Sequence, residues 1–189
     1  MMYFIWRICL SFFLGVTPYD ALLADMQAEF PGLKVVPKAS SRLMHLMEVL
    51  LWPLLGSAFS ERFTTVVGQT IYVPVDWAMR PEIARLGVLR HERVHLRQAK
   101  RYGRILFTLA YLLFPLPLGL AWCRARLEWE AYEESMRAAF EYYGKGALNA
   151  EHRAYMVGHF TGPSYGWMWP FRTQVERWYD EARARILAC

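Results

Sequence analysis

Read for the spacing of apolar and polar positions, the chain falls into a few clear segments. "PGLKVVPK" (31–38) is a short β-type run bounded by Pro31 and Pro37. "RLMHLMEVLLWPLL" follows Ser40 and Ser41, either of which can cap a helix that ends near Pro53 and Gly56. In "RFTTVVGQTIYVPVDW" (62–77), two runs rich in Val, Thr, Ile and Tyr flank Gly68-Gln69, which predicts a β-hairpin. Pro81 suits the first turn of a helix running to Tyr102 and stopping at Gly103. Residues 105–123 carry no charge, and "RARLEWEAYEESMRAAFEYYGKG" then predicts one long helix ending at Gly144 or Gly146. A short helix, an aromatic loop broken by Gly and Pro, and a last amphipathic helix ("FRTQVERWYDEARARIL") complete the chain. The order predicts an α+β, mostly helical fold, with a small β-hairpin or sheet packed on the helix 81–102.

That helix contains "LRHERVHLRQ", placing His91, Glu92 and His95 in the order H-E-x-x-H. Positions i and i+4 share a helix face, so both imidazoles can address one cation. Glu92 can then serve as base toward a water in the open position. The apolar Val88 and Leu89 on the preceding turn suit a helix that faces a core. Two imidazoles do not complete a zinc site. No histidine follows His95 until His152, so the third ligand is expected from a carboxylate of "RLEWEAYEES". Glu128 shares a face with Leu127, Ala131, Tyr132 and Ser135, the least polar side, and is the first choice, with Glu130 in reserve. Glu130, Glu133, Glu134 and Arg137 form the charged side, expected to be solvated.

H-E-x-x-H followed by a helix bearing E-x-E-A resembles the gluzincin metallopeptidases, and "EWEAY" resembles the E-x-E-A-D of the membrane-associated CAAX-processing and heat-shock peptidases. The pattern F-T-T-x-x-G-x-T-I-Y-x-P, then H-E-x-V-H-x-R-Q, then E-x-E-A-Y is also similar to small bacterial and phage proteins, over roughly residues 33–140. The resemblance implies Zn2+ held by His91, His95 and Glu128, catalysis by Glu92, and a peptide or protein substrate. Tyr132 stands where those peptidases carry an aspartate that supports a ligand histidine, a substitution that weakens this support. In the peptidase scheme an edge strand binds extended substrate, for which Thr70, Ile71, Tyr72 and Val73 are the candidates. An oxyanion donor is expected from the C-terminal part, where His159 and Tyr165 flank "FTGPSYG", with His152 and Tyr155 nearby. His45, among Leu and Met, is expected in the core.

Composition adjusts this picture only slightly. The 189 residues carry a net charge of +5, mostly as arginine, which suits an anionic membrane surface or, less well, nucleic acid. "YGWMWPF" reads as a hydrophobic plug, with stacking on single-stranded DNA as the alternative. Cys9, Cys123 and Cys189 form no framework, and no phosphate loop, G-x-S-x-G elbow or dinucleotide fingerprint occurs. The stretch "MMYFIWRICLSFFLGV" has the apolar centre of a short leader without an A-x-A site, and a buried or interfacial helix fits it as well. Three parts are expected: an apolar segment 1–30, a zincin-like core 31–146 and a C-terminal extension 147–189. The location expected is cytoplasmic or peripherally membrane-associated, with export left open. One geometric condition is strict: if 105–123 crossed a bilayer once, His95 and Glu128 would be separated by about 30 Å. The run must therefore turn back if the two share an ion. The rival to a hydrolase is a non-catalytic structural or membrane-associated protein, or a DNA-associated protease or binding module.

Overall fold

The computed structural model describes residues 17–55, 57–61, 63–113, 121–163 and 167–188. Helix α1 (Pro18–Glu29) begins where Thr17 accepts a hydrogen bond from the Asp20 amide and Pro18 occupies the first turn. Strand β1 (Lys34–Pro37) follows a turn at Gly32, whose φ of +100° suits a residue without a side chain. Helix α2 (Arg42–Leu55) is capped by Ser41, whose Oγ accepts from the Met44 amide at 3.4 Å. After the short α3 (Ala58–Glu61) come β2 (Thr65–Val67) and β3 (Thr70–Val73), joined through Gly68, φ +64°. They pair antiparallel as the sequence predicts, while β1 lies parallel to β3 in the register Lys34 to Thr70 through Pro37 to Val73.

The motif helix α4 (Glu82–Tyr102) ends at Gly103, φ +82°. Then follow α5 (Arg104–Leu113), α6 (Trp122–Tyr143), α7 (Ala150–Thr161) and α8 (Arg172–Leu187). Gly144, φ +73°, closes α6 by donating its amide to the Phe140 carbonyl. The fold is thus mostly helical with one three-stranded sheet, the α+β class expected.

The chain divides into two compact units, Met1–Glu92 and Arg93–Cys189, and the division falls inside α4. In the first unit Met26, Phe30, Met44, Ile71 and Val73 are buried; alternate residues of β3 point inward, as a half-buried strand requires. The second has an aromatic core in which Trp129 of α6 stacks on Trp178 of α8, centroids 5.7 Å apart, with Phe160 of α7 against both. Met168 and Trp169 from the expected plug pack on this core, whereas Trp167 and Phe171 are exposed.

Two expectations change. His45 is exposed, 3.8 Å from Glu48, because α2 buries Met44 and turns Leu43, Leu46, Val49 and Leu50 outward with His45. Thr70–Val73 is not an edge strand. It is the central strand, with β1 on one side and β2 on the other, so its backbone groups are already engaged in the sheet. The apolar stretch 1–16 and Tyr165 lie outside the described residues. Among the described residues, no helix is long and apolar enough to cross a membrane.

Candidate metal centre

His91 and His95 stand one turn apart on α4, and Glu128 sits in the second turn of α6. Each offers one ligand atom, and the three atoms lie within 4.8 Å of one another. Among the described residues this is the only such group of His, Cys, Asp and Glu side chains. Glu128 is 2% exposed and His95 6%, while His91 is half-buried. Burying a carboxylate this completely is costly unless a partner compensates its charge. His95 stands against it, with Nε2 3.6 Å from Glu128 Oε2. His95 and Glu128 thus meet, as a shared ion requires.

The protonation of His95 follows from a neighbour that sequence reasoning missed. Gln98, buried on the same face of α4, places Oε1 2.9 Å from His95 Nδ1. Its Nε2 donates to the Leu127 carbonyl at 3.0 Å and to Glu130 Oε2 at 2.9 Å. Both of those atoms can only accept, so the amide nitrogen must face them and the amide oxygen must face His95. Nδ1 therefore carries the hydrogen, and in a neutral ring the Nε2 lone pair is directed at Glu128. Two electron-rich atoms that face each other at this distance are stabilised by a positive charge between them. A divalent cation meets that need, and two imidazole nitrogens with one carboxylate oxygen are donors suited to zinc. A proton on Nε2 meets it too, giving a buried imidazolium–carboxylate pair.

The carboxylate is oriented from its other side. Tyr111 of α5 donates its hydroxyl to Glu128 Oε1, which leaves Oε2 turned toward His95. The Tyr111 and Phe107 rings lie 5.8 and 6.2 Å from the imidazole of His95, so α5 supplies an apolar wall. The Arg124 guanidinium stands 5.1 Å from the Tyr111 ring centroid. Glu92, buried beside His91 on α4, completes the group expected to do chemistry.

The remaining candidates take other positions. Glu130, the reserve ligand, holds Gln98. Tyr132, one turn beyond Glu128, is buried and packs on Phe160 and on His159, whose ring meets it edge-on at 5.7 Å. His159 also lies 4.9 Å from the exposed ring of Tyr155. His152 is half-buried: burial pushes its pKa down, and its Nδ1 is 2.9 Å from the Tyr179 hydroxyl. Glu133 departs from the solvated reading. Burial raises its carboxyl, but bonds from Arg185 (2.7 Å) and Arg137 (2.8 Å) outweigh that and hold it below the usual range. Comparison with family models, with curated proteins and with solved structures yields no match to this chain.

Proposed function

We propose that the chain is a zinc-dependent hydrolase acting on peptide bonds, with His91, His95 and Glu128 as metal ligands and Glu92 as general base. The observation that carries the reading is the buried His95–Glu128 pair, with the imidazole tautomer set by Gln98 and the carboxylate turned by Tyr111. A bound zinc ion would supply Lewis acidity, making water acidic enough to be deprotonated near neutral pH. Glu92, next to His91 and buried, would take that proton and pass it to the leaving amine. Gln98 would keep His95 in its ligating tautomer, and Tyr111 would keep Glu128 from rotating away. Phe107 and the Tyr111 ring would limit water around the imidazole.

The second reading, favoured by the 3.6 Å separation itself, is a metal-free ion pair of purely structural value. Elemental analysis of the purified chain, beside His95→Ala and Glu92→Gln, separates the two. The proposal expects about one zinc per chain, its loss in His95→Ala, and its retention in Glu92→Gln together with loss of cleavage of a mixed peptide library. A chain that takes up no zinc from excess metal would establish the ion pair instead. Metal binding without cleavage of any peptide would leave a structural centre and remove the hydrolase.

A further inference from the structure

Helix α5 has the wrong surface for a helix that meets only water. Its inner face carries Phe107 and Tyr111 to His95. Its outer face exposes Ile105 (79%), Leu106 (60%) and Leu109 (43%). A surface helix ordinarily puts polar residues there, and this one has only Arg104 and Thr108 to offer. Charge is just as one-sided. From Arg93 to Leu127 the chain holds no acidic residue, and Arg97, Lys100, Arg101 and Arg104 are exposed in the turns leading into α5. Tyr102 before the uncharged run and Trp122 near its end are exposed as well. Aromatic side chains with one apolar and one polar end favour the depth of lipid headgroups.

We propose that the outer face of α5, together with the cationic turn before it, binds the interface of an anionic lipid membrane. The helix would lie in the membrane plane, with Ile105, Leu106 and Leu109 among the upper acyl chains and the arginines at the phosphates. Ten residues extend only about 15 Å, half a hydrocarbon core, so α5 itself does not cross. Nucleic acid would engage the same cations but gains nothing from three exposed aliphatic side chains. The inference stands independently of the hydrolase reading, since it uses no metal ligand.

Flotation of the full-length protein with phosphatidylcholine vesicles, with and without phosphatidylglycerol, tests it. Binding is expected only with the anionic lipid and should weaken as salt is raised. The triple variant Ile105→Ser, Leu106→Ser, Leu109→Ser removes exposed side chains, so it should retain its circular dichroism spectrum while losing roughly tenfold or more in vesicle partition. Arg101→Gln with Arg104→Gln should lose affinity and salt dependence together. Glu92→Gln should float like the parent. Undiminished flotation of the folded triple variant would overturn the proposal. So would an absence of binding to anionic vesicles, or binding to a single-stranded oligonucleotide that displaces the vesicles.

Discussion

Lys38 is buried, its Nζ donates to the Phe59 carbonyl, and the ammonium sits 3.7 Å from the centroid of the Phe59 ring. Burial drives its pKa down from 10.5 to about 8, against the smaller upward pull of the Glu48 and Glu92 carboxylates. The consequence for stability has a definite sign. Between pH 8 and 10.5 the unfolded chain holds a proton on this amine that the folded chain has released, so raising the pH through this window favours folding. Below about 8 both states are protonated and the fold carries the whole cost of the buried ammonium, roughly 3 kcal/mol. Between pH 7 and 10 this one group should contribute a gain of about 2.5 kcal/mol. Lys38→Met has similar volume and no titration, so subtracting its stability from that of the parent isolates the effect from tyrosines, cysteines and other lysines. Denaturant unfolding followed by tryptophan fluorescence at pH 7, 8, 9 and 10 would measure the difference. A difference that stays flat within about 0.5 kcal/mol over that range would refute the reasoning, because it would mean that Lys38 is hydrated in the folded chain.

Two further predictions concern the site and the core. Gln98→Ala and Tyr111→Phe should each weaken zinc binding by about ten- to a hundredfold in competition with a chelator, without loss of helical circular dichroism, since each removes a group that orients a ligand. Unchanged affinity in both would mean that the ligands are held by their own helices alone. Phe160→Ala, at a fully buried ring between Trp129, Tyr132 and Trp178, should cost about 3–5 kcal/mol in denaturant unfolding; a loss under 1 kcal/mol would show that the aromatic core can collapse into the space.

Local chemistry made most of the elements legible. Gly103 and Gly144 sit at helix ends in the left-handed conformation that glycine tolerates, Ser41 caps α2, and Gly68 opens the hairpin, so each boundary was written within a few residues of itself. What stayed hidden was non-local. Nothing in "LKVVPK" says that it will lie parallel to β3, because that pairing depends on the path of the thirty-odd residues between them. The pairing is what turns Thr70–Val73 from an apparent edge into the centre of a sheet. His45 failed for a related reason: its apolar neighbours on α2 are themselves exposed, so their company did not signal a core.

The site divides along the same line. His91 and His95 were legible because one helix turn relates them, and Glu128 because a carboxylate on the apolar side of an otherwise well-segregated helix calls for an explanation. Gln98 and Tyr111 left a similar but fainter trace. Gln98 follows His95 by three positions on the same face, and Tyr111 is one of only two hydroxyl-bearing residues in the uncharged run 105–123. Each is a polar group that the fold buries or half-buries, and such a group must find a partner. That requirement is local, but the identity of the partner is not. It took the docking of α6 against α4 to bring the Leu127 carbonyl and Glu130 to the amide nitrogen, and thereby to turn the amide oxygen to His95. Glu130 illustrates the point best: the same carboxylate that sequence reasoning held in reserve as a ligand acts here two hydrogen bonds removed, as an acceptor that decides which nitrogen of His95 faces Glu128.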